Sequence, residues 1–458
     1  MTTFSAVRTT GIYCRPGCGA RPLAENVRTF ELAAAAEAAG FRACLRCRPY
    51  RVAGPIGSHS PELVCRAVQL IIDGALDEGT ETGLGARLAI SPRHLRRLFN
   101  DHLGVTPDQL ARSRRAHFAR RLLDDSDLTV AEVAFGSGFG SLRQFNREMR
   151  EVFRAAPTEL RDRRRRADRL AADGGLTMRL PFQPPFDWAS MVAFLADRAV
   201  PGVESVEDRS YRRTISLDGD PGVLEIHPGG ADHLLLRAHL PYWEGLIHVV
   251  ERAGRMVGTD ADTGSAVAQL AADPTIGPLV SALPGIRVPG AWGPLEMAVQ
   301  AIVAQHCRRA QARVRIGVLV RHVGQPVPGL AHGLTHLFPS ADRLADADFA
   351  RIDLPQRTAA AIQGFAAEVA DGKIVLDGSP ELADLVAGLT AVPGIGTGAA
   401  QQIAVRLGYR DAFPESDPDV RRALEILGAP AEITPSWRPW RAMAAMYLIS
   451  HAEAGTKP

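Results

Sequence analysis

GIYCRPGC (Gly11–Cys18) and FRACLRC (Phe41–Cys47) contain four of the six cysteines of this 458-residue chain. The first pair has the spacing C-x3-C and the second the spacing C-x2-C, with 25 residues between the pairs. Two close pairs of soft thiolates are the donor set that tetrahedral zinc prefers. Disulfides are the alternative, but no apolar signal segment precedes Cys14, and the long cysteine-poor remainder needs no such cross-links. We therefore predict a zinc site made by Cys14, Cys18, Cys44 and Cys47.

The charge of the chain is unevenly distributed. The formal net charge is +2, but residues 1–170 contain 28 Arg against 19 Asp and Glu, and the remainder is acidic on balance. A basic first third predicts a polyanionic partner, here double-stranded DNA. No apolar run is long enough to span a bilayer. We expect a soluble, cytoplasmic, nucleoid-associated monomer with no membrane partner.

Residue patterns divide the chain into four parts and predict a multidomain α+β fold. A Pro- and Gly-rich stretch follows the cysteines, a basic run ends the first helical region, and turn dipeptides punctuate the strand-like region. The predicted parts are a small zinc domain at 1–52, an all-α double helix-turn-helix domain at 60–166, an antiparallel α+β subdomain at 178–258 and an all-α helix-hairpin-helix domain at 259–455.

The second part contains two predicted helix-turn-helix units. Ser91 would cap a helix that starts at Pro92, Thr129 would cap another, and Ser141 would start a third after a glycine turn. A helical bundle with arginines on its exposed face would give a similar pattern, but two units in tandem favour a DNA-binding domain. The side chains expected to contact DNA are Arg93, Arg96, Arg97, Arg143, Gln144 and Arg147. Those expected to face the core include Leu95, Phe99, Leu142 and Phe145.

The second unit, GFGSLRQFNREMREVFRAAPTELR, resembles the DNA-binding domain of AraC-family regulators. The resemblance covers about a hundred residues. It implies two recognition helices that read neighbouring groove segments, and RNA polymerase as a partner.

The N-terminal stretch, with RTTGIYCRPGC, resembles the zinc domain of Ada-type methylation sensors along essentially its whole length. The resemblance implies that the four cysteines bind zinc and that Cys14 accepts a methyl group from a DNA methyl phosphotriester. Methylation would change the charge of a four-thiolate zinc site from −2 to −1, which lowers repulsion from DNA. Candidate phosphate contacts are Arg8, Thr9, Arg15 and Arg46. The alternative is a purely structural zinc ribbon.

The last part contains VPGIG (residues 392–396) after a predicted helix, and FPESD (residues 413–417) about twenty residues later. The glycines of such a hairpin let backbone amides approach a phosphate, often with a monovalent cation. We expect Gly394 and Gly396 to contact DNA in this way.

This part resembles the AlkA class of DNA glycosylases from about Met178 to Ala454. The resemblance implies that the base is flipped out of the helix and that Asp417 is the catalytic carboxylate, with Glu415 and Asp419 as weaker candidates. Gly398 replaces the lysine of bifunctional relatives, which implies base release without strand cleavage.

The expected base pocket departs from that class. Its residues would be Gln305, His306, Gly398, Gln402 and Ile449, and aromatic residues are usual at three of these positions. Trp292, Trp440 and Tyr447 are expected in the core instead. The sequence thus predicts an alkylation-damage regulator fused to a base-excision enzyme. The alternative is a regulator with a structural zinc and an altered or inactive glycosylase half.

Overall fold

The computed structural model describes residues 3–20, 22–51, 60–165, 168–170, 174–261 and 263–454. The predicted domain limits at residues 1, 52, 166 and 455 lie outside these ranges. No helix among the described residues has the length and apolar character needed to cross a membrane.

The N-terminal segment forms a four-stranded sheet in the order β3-β1-β2-β4. Its elements are β1 (Phe4–Val7), β2 (Ile12–Cys14), β3 (Val27–Phe30), α1 (Ala33–Ala38) and β4 (Arg42–Ala43). Strands β2 and β4 run parallel, with Tyr13 opposite Ala43. This pairing brings the two cysteine-bearing stretches to the same edge, because Cys14 ends β2 and Cys44 follows β4.

Seven helices form the regulator segment among its described residues. They are α2 (Glu62–Ile72), α3 (Glu81–Arg87), α4 (Pro92–Leu103), α5 (Pro107–Asp125), α6 (Val130–Gly136), α7 (Leu142–Phe153) and α8 (Pro157–Asp162). The predicted caps are confirmed: the hydroxyls of Ser91, Thr129 and Ser141 each accept a hydrogen bond from the backbone N–H three residues later. These caps satisfy N–H groups that the helices would leave unpaired.

The predicted antiparallel sheet is present as five strands in the order β5-β9-β8-β7-β6. Its elements are β5 (Leu176–Pro181), α9 (Trp188–Arg198), β6 (Glu204–Glu207), β7 (Ser210–Leu217), β8 (Asp220–Pro228), β9 (His233–His239) and α10 (Leu246–Met256). Asp218 and Gly219 both have positive φ, +50° and +94°. They make the tight turn between β7 and β8, and two successive residues with positive φ are typical of such a short connection.

The remainder is mainly helical, as predicted. It comprises α11 (Gly264–Ala271), α12 (Gly277–Ala282), α13 (Pro294–Ala304), α14 (Arg309–Val323), β10 (Gln325–Pro326), β11 (His336–Leu337), α15 (Ala341–Ala345), α16 (Gln356–Ala370), α17 (Leu382–Ala391), α18 (Thr397–Arg406), α19 (Pro418–Ile426) and α20 (Arg441–Ala454). Helices α17 and α18 flank the VPGIG stretch and form the predicted helix-hairpin-helix.

A buried ionic cluster at the end of α5 joins three segments of the chain. Asp124 is fully buried, and it pairs with Arg120 at 2.6 Å and with Arg51 at 3.2 Å. The next residue, Asp125, pairs with Arg51 at 2.9 Å and with Arg179 at 2.7 Å. Arg51 belongs to the zinc segment and Arg179 lies on β5. The carboxylates therefore fix both neighbours against α5.

Replacing Asp124 by Asn should destabilise the protein by about 3 kcal/mol or more, because Arg120 would remain buried without its counter-charge. Calorimetry would show this loss of stability as a lower temperature of thermal unfolding. Asp127→Asn is the matched control, since the Asp127 side chain is 47% exposed in its pair with Arg164 and should change stability by less than about 1 kcal/mol. Equal transitions for the two variants would show that the buried cluster does not hold the segments together.

Candidate functional site

The four predicted zinc ligands lie together at one edge of the N-terminal sheet. The sulfur atoms of the four cysteines all lie within 4.8 Å of one another. The backbone N–H of Cys44 donates to the carbonyl of Tyr13 at 2.9 Å, which fixes the second cysteine pair against the first. Tetrahedral zinc with sulfur ligands needs sulfur atoms about 3.8 Å apart, so the donor set and its spacing fit this ion.

Without a cation, this cluster resists full deprotonation. Burial and the neighbouring thiols raise the pKa of Cys14, and burial is the largest cause of a pKa of about 12 at Cys47. Burial also raises the pKa of Cys44. Hydrogen bonds from the backbone N–H groups of Cys47 and Arg46 have a larger opposite effect, so the pKa of Cys44 lies below its usual value. A divalent cation supplies the charge that four thiolates require.

Two of the proposed phosphate contacts, Arg15 and Arg46, are next in sequence to ligand cysteines. Arg8, Thr9, Arg15 and Arg46 are all exposed, and Cys14 itself is buried. The structure thus leaves the four side chains accessible to a polyanion, and their contact with phosphate stays a prediction.

A hydrogen-bonded group connects β2 to α5. The Tyr13 hydroxyl donates to Glu37 Oε1 at 2.6 Å, and the same oxygen lies 2.6 Å from His117 Nε2. His117 lies on α5, and its Nε2 is 3.2 Å from the Tyr13 hydroxyl. Burial, together with Glu37, raises the pKa of Tyr13 and keeps its phenol a neutral donor. Sequence reasoning missed this group because the three residues share no local motif.

The recognition helices α4 and α7 present their polar side chains to solvent. Arg93, Arg96, Arg97, Arg143 and Arg147 are exposed, and Gln144 is half-buried. Within the chain, Arg96 pairs with Glu81 on α3 and Arg147 lies 3.2 Å from Glu148. Both contacts are local, so they leave each helix available for a groove.

The position of Leu142 on α7 differs from the prediction that this residue faces the core. Leu95, Phe99 and Phe145 are buried as predicted, but the Leu142 residue is 41% exposed. It is the first residue after the cap Ser141 and lies at the tip of the helix beyond the packed core. An exposed apolar side chain here suits contact with a thymine methyl group.

Gln305, an expected base-pocket residue, binds the hairpin. Its Oε1 accepts from the backbone N–H of Gly396 at 2.7 Å, and its Nε2 donates to the carbonyl of Gly394 at 3.2 Å. Gly394 has φ +95°, and a Cβ there would lie 2.8 Å from the side chain of Ala361. The hairpin is therefore held by α13 on one side and packs closely against α16 on the other.

Asp417 is held in one orientation by three donors. As the cap of α19, its Oδ1 accepts from the backbone N–H groups of Asp419 at 2.9 Å and Val420 at 3.4 Å. Its Oδ2 accepts from Gln402 Nε2 at 3.1 Å. Asp417 is only 7% exposed and borders a cavity of about 90 Å³. This is the arrangement expected of a carboxylate that stabilises a developing positive charge.

The two weaker candidates for the acid are placed differently. Glu415 is exposed. Asp419 pairs with Arg309 at 2.5 Å and lies outside the described lining of the cavity. The geometry therefore favours Asp417 over both.

Only part of the expected base pocket lines this cavity. Asp417, Gln402 and Ile449 border it, whereas Gln305, His306 and Gly398 lie outside its described lining. His306 is exposed where α13 ends, beside the hairpin. Phe194 contributes the one aromatic ring among the described lining residues. Trp292 and Tyr447 are buried, as expected of core residues.

A side chain at Gly398 would collide with the present position of the Ser416 side chain. A Cβ at Gly398 would lie 1.8 Å from the Ser416 hydroxyl oxygen. The Ser416 Cβ would lie 3.1 Å from the same added atom, so a larger residue at position 398 requires Ser416, the neighbour of Asp417 in the chain, to rotate and shift slightly.

Three family models match consecutive parts of the chain. The metal-binding domain of Ada matches residues 2–50, a helix-turn-helix domain matches 84–163, and the AlkA N-terminal domain matches 177–293.

Two curated relatives match different shares of the chain. A Mycobacterium tuberculosis protein, "Probable bifunctional transcriptional activator/DNA repair enzyme AlkA", is 39% identical over 98% of this chain and 92% of its own length. Escherichia coli DNA-3-methyladenine glycosylase 2 is 29% identical over 59% of this chain and 95% of its own.

Among solved structures, the 3-methyladenine DNA glycosylase from Archaeoglobus fulgidus superimposes with a TM-score of 0.53 at 19% identity. The match covers 61% of this chain and 99% of that one. This likeness shows a shared fold for the C-terminal part.

Replacing Gly398 by Ala should destabilise the protein by about 1–3 kcal/mol, because Ser416 must move to admit a methyl group. Base release should fall as well, since the shift reaches Asp417. Gly388→Ala is the matched control: Gly388 lies within α17 with open space around it, so alanine there should be neutral or stabilising by about 0.5–1 kcal/mol. Thermal unfolding of both variants measures the difference, and a Gly398→Ala protein as stable as the control would contradict the clash.

Proposed function

We propose that the chain senses DNA alkylation, activates transcription and excises damaged bases. The premise is that it belongs to the family of bifunctional AlkA-type transcriptional activators and DNA repair enzymes. The observation that carries the enzymatic half is the buried Asp417 carboxylate, oriented by three donors beside a cavity. Its partner is double-stranded DNA, both as promoter and as damaged substrate. The chain would act as a monomer in the cytoplasm, at the nucleoid, and recruit RNA polymerase.

Cys14 is the proposed methyl acceptor. Its sulfur attacks the methyl carbon of a phosphotriester, the S–CH₃ bond forms, and the O–CH₃ bond breaks as the phosphodiester leaves with its negative charge. Bound zinc would keep the thiolates deprotonated and therefore nucleophilic at neutral pH. The product is a thioether without charge, so the segment becomes less negative by one unit and repels DNA less.

The recognition helices would convert this change into promoter binding. Arg93, Arg96 and Arg97 on α4, and Arg143, Gln144 and Arg147 on α7, are the proposed contacts with base edges and phosphates. Around the acceptor, Arg8, Thr9, Arg15 and Arg46 would hold the phosphate backbone.

Base excision is assigned to the C-terminal part. The hairpin glycines Gly394 and Gly396 would let a DNA phosphate lie close to the backbone, together with a monovalent cation, while the damaged base turns into the cavity. The N–H of Gly396 already donates to Gln305, so it would not itself contact the phosphate. Asp417 would stabilise the positive charge that develops on the sugar as the glycosidic bond breaks, or accept a proton from the attacking water. Base release would leave the strand uncleaved, because Gly398 has no amine that could attack the sugar.

Asp417→Asn should lower base release from methylated duplex DNA by at least about a hundredfold, because the amide cannot supply the negative charge. All released bases are counted by chromatography, since a methylating agent produces both charged and neutral lesions. Glu415→Gln is the matched control on the same loop, and its rate should change by less than about threefold because its side chain is exposed. If the wild type and Asp417→Asn release bases equally slowly, the C-terminal part binds DNA without excising bases.

A further inference from the structure

The cavity beside Asp417 is lined by several cationic side chains. Four arginines border it, namely Arg198, Arg309, Arg313 and Arg406. Asp417 is the one carboxylate among the described lining residues, and the remaining wall is largely apolar. Arg309 pairs with Asp197 and Asp419, both at 2.5 Å, and Arg198 lies 3.6 Å from Asp197 and 3.7 Å from Glu453; these carboxylates lie outside the described lining. Arg313 and Arg406 donate instead to the backbone carbonyls of Ala199 and Gly290.

The single aromatic ring of the described lining already faces cations. The guanidinium carbon of Arg198 lies 3.6 Å from the centre of the Phe194 ring, and that of Arg406 lies 5.4 Å from it. A positively charged base that stacked on Phe194 would compete with these two groups for the ring. It would also lie near the positive charge of Arg406, which bonds a backbone carbonyl, in a buried site where water screens charges weakly.

The pKa shifts differ among these arginines. Burial opposes the charge of Arg309, but Asp197 and Asp419 outweigh it and raise the Arg309 pKa, whereas the pKa values of Arg406 and Arg198 are shifted down. Burial lowers the pKa of Arg406 below its usual value. Burial, together with the nearby Arg309, lowers the pKa of Arg198 to about 10. A cationic base brought into this cavity would meet the same desolvation and the same neighbours.

We propose that the cavity selects a neutral damaged base whose carbonyl oxygen and ring nitrogens accept hydrogen bonds, in preference to a cationic N-alkylpurine. This inference rests on the proposed glycosylase function and names its substrate class. Guanidinium groups are donors only, so their natural partners are acceptor edges of a base.

The arginines would have a second role when the glycosidic bond breaks and the base leaves the sugar. A cationic N-alkylpurine leaves the sugar as a neutral molecule and needs little help. When a neutral base leaves, the electron pair of the C1′–N bond goes with it, so negative charge develops on the base. Nearby guanidinium groups stabilise that charge. A water oxygen then bonds to C1′, and the proton that this water loses ends on the released base.

Arg313 is the residue best suited to a test. It lines the cavity, and its Nε donates to the backbone carbonyl of Ala199 at 3.1 Å. Its replacement by Gln keeps a hydrogen-bonding side chain and removes one positive charge. Arg321→Gln is the matched control, because Arg321 is exposed on the same helix and lies outside the described lining.

The experiment uses the full-length protein and two duplexes, one with a single hypoxanthine, which is neutral, and one with a single 7-methylguanine, which is cationic. Released base is measured by mass spectrometry in single-turnover reactions. The wild type should release hypoxanthine faster than 7-methylguanine. Arg313→Gln should lower the ratio of the two rates by about tenfold, whereas Arg321→Gln should leave it unchanged.

A second variant keeps the test informative if Arg313→Gln folds poorly. Gln300 lines the same cavity, and Gln300→Glu adds a negative charge with little change of shape. It should shift the ratio towards 7-methylguanine. Faster release of 7-methylguanine by the wild type, or ratios that neither variant moves, would overturn this inference and leave the glycosylase function intact. Release of neither base would overturn the proposed function itself.

Discussion

Two buried carboxylates at the end of α5, Asp124 and Asp125, hold three parts of the chain in one arrangement. Their partners come from the zinc segment through Arg51, from the regulator through Arg120 and from the glycosylase sheet through Arg179. A buried carboxylate that lost these partners would be strongly destabilising. The ion pairs therefore work together with an apolar core that continues from Phe4 in the first sheet to Ala452 in the last helix.

This arrangement gives α5 a central position between damage sensing and DNA reading. One face of α5 contacts β2 through His117, Glu37 and Tyr13, while its ends connect the two helix-turn-helix units. In the proposed function, a change in charge at Cys14 would be linked to α7 through packed residues, since Tyr13 and Phe145 belong to the same apolar core.

Sequence patterns predicted the features that depend on local chemistry. The cysteine pairs, the caps Ser91, Thr129 and Ser141, and the helix-hairpin-helix follow from short-range rules of ligand spacing and backbone hydrogen bonding. The contacts of Gln305 with the hairpin, the hydrogen bond from Gln402 to Asp417 and the close approach of Ser416 to Gly398 could not be predicted. Each depends on residues distant in sequence that only tertiary packing brings together. Leu142 was misplaced for a related reason, since helical periodicity does not show where a packed core ends.

The most direct test measures the affinity of the full-length protein for its promoter DNA before and after methyl transfer, at several salt concentrations. Mass spectrometry first establishes that one methyl group is present on Cys14. At low salt the methylated protein should bind about fivefold or more tightly, since one charge opposite one phosphate at 4 Å is worth about 1 kcal/mol in water. The difference should shrink as salt rises from about 50 to about 200 mM. Equal affinities of the two forms at every salt concentration would contradict the account.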